Sequence, residues 1–382
     1  MKNVFYWCPH INYQVATCKA VLNSAYSLKK YSKTFHPVII NCFGEWDYFK
    51  KELEEKNIEV INLFNLKINL PINGFFRSRL FYITFSIFAI LPLFNLIKSK
   101  KPDYLILHLI VIPGLILSMF SKHSTKFILR ISGFPKLNLF RKTFWSLCSK
   151  NLSAIFSPTK NTIRLLKDNK IFKYKEIKLL EDPIIEIHKI NKLKKENLIN
   201  FKNNDYLVSV GRLTKQKNFD FLISAFDHIT RDKNLMLLII GSGELKNKLY
   251  KKIQKLNLID KIILTDYQEN IFKYLYNSKL FVLTSNWEDP GFVIIEAAIC
   301  GKLIISSNVH SGPLEFIGKD ENCGFIYKKN DFEDFSKKIN FALKNLNQKS
   351  IKLKMYNAKK KANNYTLFRH SQKLLSHLSS LD

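Results

Sequence analysis

Two carboxylates stand out by their spacing. Glu288 and Glu296 enclose the run Asp289-Pro290-Gly291-Phe292-Val293-Ile294-Ile295, with the first glutamate expected on a loop and the second two turns into a helix. Ile295 and Ala297 flank Glu296, and a carboxylate among apolar neighbours is costly unless something donates to it. Ligand hydroxyls and protein donors both qualify. Gly291 lets a ligand come close to the backbone, and the N–H groups of Phe292 and Val293 open the helix toward an anion. A capping acid with a structural salt bridge is the plainer reading of the same residues. The second cluster is cationic. Gly211-Arg212-Leu213-Thr214-Lys215-Gln216-Lys217 precedes a helix start; it offers Arg212 as a planar fork and Lys217 as a point charge, a pair suited to a diphosphate. Basic loops also arise by chance in so lysine-rich a chain. The turn Gly241-Ser242-Gly243-Glu244 is a weaker sign, since a glycine pair closing a strand is often only a turn.

These groups need strands that end where the loops begin. Short β-rich runs at Tyr206–Gly211, Leu235–Gly241, Ile262–Leu264, Leu280–Thr284, Leu303–Ser306 and Gly324–Tyr327 alternate with helix-length segments. Such a βαβ rhythm predicts a parallel sheet covered on both faces, with ligands at the carboxyl ends of its strands. The first half repeats the rhythm at Val4–Cys8, Val38–Phe43, Ile58–Leu63, Tyr104–His108, Phe127–Ile131 and Ala154–Ser157. The fold class is therefore α/β, two Rossmann-like domains facing each other across a cleft. Expected bounds are 1–183 for the first Rossmann-like domain, 184–204 for a linker, 205–360 for the second Rossmann-like domain, and 361–382 for a terminal helix packing back toward the first domain. Proline at Asp182-Pro183 and the polar stretch that follows mark the seam.

The Glu-x7-Glu segment, the upstream Val-Gly-Arg-Leu-x-x-x-Lys-Asn and the Ile-Gly-Ser-Gly-Glu turn together resemble the retaining glycosyltransferases of the GT-B fold, family 4 (group 1), over roughly Tyr206 to Tyr327. The resemblance implies that Arg212 and Lys217 neutralise a donor diphosphate and ease its departure without a metal ion. It implies that Glu288 holds hydroxyls of the donor sugar and Glu296 the ribose 2′- and 3′-hydroxyls. Tyr267-Gln268 would lie along the base, and the amides of Gly291, Phe292 and Val293 would meet sugar and phosphate, with Gly211 and Gly241 lining the same donor site. Transfer would retain the anomeric configuration, and no cofactor is expected beyond the nucleoside-diphosphate sugar as co-substrate. Such family members often carry a glycine-rich loop after the first strand; here the region from His10 to Lys19 has no glycine, which leaves that donor contact in doubt. His108, closing the run from Asp103, is a candidate for the reacting centre or simply a histidine satisfied within the fold. Arg130 and the stretch Phe140–Trp145 are candidates to receive an anionic acceptor.

Charge widens the list of partners. Among 382 residues, 61 Lys and Arg face 31 Asp and Glu, a formal net charge of +30, which attracts nucleic acid, anionic lipid or nucleotide phosphates alike. A Lys-, Asn- and Ile-rich composition explains part of the excess without any partner. A basic nucleic-acid- or membrane-binding protein without transferase activity is the alternative reading, but no nucleic-acid module is recognisable and no specific nucleic acid is expected. The run Leu80 to Ile97 lacks any charge and has basic flanks, Arg77 and Arg79 before it and Lys98, Lys100 and Lys101 after; it reads as a helix docked on an anionic membrane surface, with a core helix and a true span as rivals. With no secretory leader evident, the expectation is a cytoplasmic protein, peripheral on the inner face of the membrane, acting on a glycan or lipid-linked acceptor in polysaccharide or lipopolysaccharide assembly. Six scattered cysteines without a Cys-x-x-Cys pair argue for reduced, buried thiols rather than disulfides or structural zinc.

Overall fold

The computed structural model describes residues 1–10, 16–64, 75–120, 124–198, 206–230, 235–309 and 311–381, with the side chains of 75–80 and 230 left out. The chain folds into two compact units, one built from Met1–Ile184 and Leu367–Asp382, the other from Ile185–Thr366.

The first unit holds strands β1 (Lys2–Trp7), β2 (Phe35–Asn41), β3 (Glu59–Asn62), β4 (Tyr104–Leu107), β5 (Lys126–Arg130), β6 (Ala154–Ser157) and β7 (Ile177–Leu179). They form a sheet in the order β3-β2-β1-β4-β5-β6-β7 with every pairing parallel. Strand residues alternate between two cores. Phe5, Trp7, Leu105, Leu107, Phe127 and Leu129 pack under the helices Phe75–Phe88, Ile90–Lys100, Ile112–Phe120 and Leu139–Cys148. Val4, Tyr6, Tyr104, Ile106, Ile128 and Phe156 pack under Ala16–Tyr31 and Leu367–Ser379. Apolar runs buried on both faces are what a crossover-connected parallel sheet demands.

The terminal helix is tied to this unit by polar contacts as well as by Leu374 and Leu378. His370 Nδ1 donates to the Glu181 carbonyl at 2.7 Å, and Nε2 meets Ser24 Oγ at 2.8 Å. Tyr104 Oη donates to the Leu378 carbonyl, and Lys373 pairs with Glu181.

The second unit repeats the design with β8 (Tyr206–Val210), β9 (Met236–Ile240), β10 (Ile262–Thr265), β11 (Leu280–Leu283), β12 (Leu303–Ser307) and β13 (Phe325–Tyr327), in the order β10-β9-β8-β11-β12-β13, all parallel. The stretch expected as linker contains a helix, Ile187–Leu193, anchored by buried Ile190; residues 199–204 of that stretch lie outside the described residues, as do residues 11–15 of the glycine-free segment after β1.

The uncharged run after residue 80 is not a single uninterrupted helix. It breaks at Ala89 between Phe75–Phe88 and Ile90–Lys100, because Pro92 has no N–H to give the Phe88 carbonyl four residues back. By length and composition 81–100 could cross a membrane, yet Phe85, Ala89, Leu93 and Ile97, four residues apart, are buried against the first sheet. All six cysteines are free and buried.

Candidate active site

In each sheet the strand order reverses beside the first strand of its unit, so the carboxyl ends of β8 and β11 border the crevice where doubly wound sheets hold ligands. The loops leaving these two strands are stitched together. The Asn286 N–H donates to the Gln216 carbonyl at 2.7 Å, Gln216 Nε2 to the Trp287 carbonyl at 3.0 Å, and Asn286 Nδ2 to the Lys215 carbonyl at 2.7 Å. Thr284 Oγ1 donates to the Lys217 carbonyl at 3.0 Å. Residues some seventy positions apart in sequence thus share one rigid rim.

Glycines let that rim close. A Cβ on Gly241 would fall 1.9 Å from the Gly211 carbonyl oxygen, so the turn after β9 can lie against the turn after β8 only without a side chain. The Lys217 stem lies over Gly211, where a Cβ would come within 2.8 Å of its Cε, and this path carries the ammonium to Glu288. Gly291, at φ 81°, supplies the left-handed corner that precedes the helix Phe292–Ile299.

The two glutamates differ sharply. Glu288 is 6% exposed, and its Oε1 accepts from Lys217 Nζ at 2.5 Å and Ser285 Oγ at 2.6 Å. Both donors converge on that one oxygen, and among the described residues Oε2 has no hydrogen-bond partner. Glu296 sits on the fifth residue of its helix, little more than one turn in rather than two, because the helix starts only at Phe292. It is half-buried and its carboxylate has no hydrogen bond among the described residues. Burial pushes its carboxyl up to about 7, against the opposing pull of the Lys217 charge.

Arg212 is exposed, with Nη2 donating to Gln216 Oε1 at 3.1 Å. Its neighbour across the turn, Lys217, is mostly covered. The Phe292 and Val293 amides open the helix after Gly291, with Val293 buried and Phe292 half-buried. Tyr267 and Gln268 follow β10 at the same end of the sheet. The Tyr267 ring is exposed while its N–H donates to Ser242 Oγ, and Gln268 Oε1 accepts from Tyr274 Oη. Sequence reading missed Ser285 and the bridging residues Gln216 and Asn286. For the last two no local signal exists, whereas a serine three residues before a buried glutamate is a modest one.

In the first unit, His108 follows β4, and its N–H donates to the Trp7 carbonyl at 2.7 Å. Its ring is buried, with Nδ1 3.4 Å from Ser132 Oγ and Nε2 unpartnered among the described residues. Burial, with the charge of Arg130, holds it well below the usual imidazole range. A small cavity beside it is lined by Thr17, Ser24, Ile106, Arg130, Asp182 and His370. Arg130 does not serve as a free anion receiver: it is buried and already paired, Nη2 to Asp182 Oδ1 at 2.6 Å. In the other acceptor candidate, Arg141 Nη1 donates to the Lys136 carbonyl and the guanidinium covers the Trp145 ring.

The model of the family described as glycosyl transferases group 1 matches residues 190–362, within the second unit. A glycosyltransferase of Methanocaldococcus jannaschii is 30% identical over 330 residues, 81% of this chain and 77% of that one. The chain is a group 1 glycosyltransferase. Another relative of this glycosyltransferase, the N-acetylgalactosamine-N,N′-diacetylbacillosaminyl-diphospho-undecaprenol 4-alpha-N-acetylgalactosaminyltransferase of Campylobacter jejuni, is 28% identical over 58% of this chain and 59% of its own length. Among solved structures, HepE of Anabaena in complex with UDP superposes with a TM-score of 0.72 at 16% identity, covering 100% of both chains. The architecture of this glycosyltransferase is GT-B.

Proposed function

We propose that this glycosyltransferase moves a hexosyl or related residue from a nucleoside-diphosphate sugar to a glycan or lipid-linked glycan, with retention and without a metal ion, in the manner of family 4. The observation that carries the reading is the pairing at the second unit's switch point: Lys217 locked on one oxygen of Glu288, with the other oxygen and the Glu296 carboxylate left for hydroxyls. Departure of a nucleoside diphosphate leaves new negative charge on its bridging oxygen. Arg212 and Lys217 are fixed cations on one loop, and cations that need not reorganise when charge develops are worth the most. Glu288 then has two tasks: Oε1 holds Lys217, and Oε2 takes a hydroxyl of the sugar. Glu296 accepts from ribose hydroxyls, which favour its ionised form, and the exposed Tyr267 ring offers the base a stacking face. A same-face attack by the acceptor needs no protein nucleophile.

A role in lipid-linked glycan or polysaccharide assembly is supported by the Campylobacter jejuni relative, whose named acceptor is a diphospho-undecaprenol glycan; a cytoplasmic protein, peripheral on the membrane, is part of the same proposal. The direct test is a thermal-shift screen against UDP-, GDP- and ADP-sugars, because a ligand that binds only the native state raises its stability by mass action. One donor class should raise the melting temperature, and Arg212→Ala should abolish the rise. Product analysis by proton NMR should give the donor's own anomeric configuration, unchanged in rate by EDTA. No shift with any nucleotide sugar, or an inverted product, would overturn the reading.

A further inference from the structure

The helices that cover one face of the first sheet have the wrong outer surface for a water-facing layer. In 81–100 the inward positions Phe85, Ala89, Leu93 and Ile97 belong to the core, but the outward positions are Ile83, Ile87, Phe88 and Leu91, with Phe88 73% and Leu91 66% exposed. A surface helix ordinarily turns polar residues outward. The two next helices of the same layer, Ile112–Phe120 packed against Ile90–Lys100 and Leu139–Cys148 packed against Ile112–Phe120, add Phe120 and Leu139, each 81% exposed, and exposed Phe140 and Leu147. Scattered exposed apolar residues are normal; a run of them across adjoining helices marks a docking face.

Charge on this layer points to one occupant. Between Glu59 and Asp168 the only acidic residue is Asp103, whose carboxylate accepts the Asn3 N–H. Lys98, Lys100, Lys101 and Lys136 are exposed, and with half-buried Lys142 they have no acidic partner among the described residues. A second copy docking by the same patch would set these lysines against their own equivalents. An apolar band bordered by unpaired lysines instead matches a bilayer whose headgroups are anionic, with rings and aliphatic chains entering the acyl boundary while the ammonium groups stay at headgroup level.

We infer that this outer layer of the first unit, 81–100 with 112–120 and 139–148, is a docking surface for an anionic lipid bilayer. The inference stands on this layer alone and adds a location to the proposed lipid-linked acceptor without depending on it.

Co-sedimentation with vesicles of phosphatidylcholine, with and without phosphatidylglycerol, tests the inference. The wild-type protein should bind only the vesicles containing phosphatidylglycerol, and less as salt rises. Phe88→Ser with Leu91→Ser and Phe120→Ser should lower binding about tenfold or more, since the apolar contact supplies the insertion. Lys98→Ser with Lys142→Ser should lower it about fivefold per cation removed. Lys251→Ser with Lys255→Ser, exposed lysines of the second unit, should leave it unchanged. The thermal shift with nucleotide sugar should persist in every variant, which separates this result from failure of the transferase reading. Equal binding to neutral vesicles, wild-type binding by both the serine triple and the lysine pair, or a dimer in light scattering that the serine triple dissolves would overturn it.

Discussion

The two units use one strand order and dress it in opposite ways. At the second switch point the loops after β8 and β11 are polar, closely bonded to each other, and built around a lysine–glutamate pair with an open carboxylate oxygen. In the first unit the corresponding end of β4 leads to a buried neutral histidine beside a closed Arg130–Asp182 pair, with the Trp7 indole donating to the Ile110 carbonyl. Topology makes a crevice in both places. Among the described residues, only the second is furnished with charged groups that a ligand can still claim.

The strongest test of this contrast breaks the furnished side. Lys217→Ala and Arg212→Ala should each lower kcat for transfer by about 100-fold or more, whereas Arg130→Lys in the first unit should change it far less. Lys217→Ala also leaves Glu288 buried with one donor gone, at a cost of about 3 kcal/mol or more in urea unfolding. The double variant Lys217→Met with Glu288→Leu should regain most of that stability and none of the transfer. Recovery of activity in the double variant would dissolve the distinction.

Gly241→Ala comes next. Its Cβ meets backbone rather than a mobile side chain, so a loss of about 1–3 kcal/mol is expected, together with weaker nucleotide binding. A smaller effect concerns Glu296. A carboxyl raised to about 7 in the folded state and near 4.3 when unfolded contributes stability that is complete below the lower value and lost as pH rises through the higher. Glu296→Gln should therefore match wild type near pH 4 and become relatively more stable toward pH 8, while losing the rise in nucleotide affinity that ionisation of Glu296 brings. The smallest effect is on His108: held neutral by burial, its ring proton should show no NMR titration between pH 5 and 8. A midpoint in that range would place the first crevice nearer to the second in character.

Much of this was legible in the sequence, for a physical reason. Strands buried on both faces must be continuous apolar runs, so Leu280 to Leu283 and Tyr104 to Leu107 announce themselves, and loops at their carboxyl ends are where polar groups mean most. β7 is three residues, Ile177–Leu179, too short to show any period. The Lys217–Glu288 bond depends on strand order across 71 residues, which no local pattern encodes. The sequence offers 81–100 as a surface helix with a core helix and a span as rivals, but which of its positions face inward is not legible there, because the inward Phe85, Ala89, Leu93 and Ile97 and the outward Ile83, Ile87, Phe88 and Leu91 are equally apolar.

Helix Leu367–Ser379 completes the first unit, burying His370, Leu374 and Leu378 against a core laid down by residues before 184. During synthesis that core cannot be capped until the whole second unit has left the ribosome, about 10–40 s after residue 184 at ordinary elongation rates. The face awaiting Leu374 and Leu378 stays open to chaperones and proteases throughout that interval. A chain that stops short of residue 367 therefore carries an exposed apolar face as a mark of its incompleteness, and the cell can discard it before it ever meets a donor.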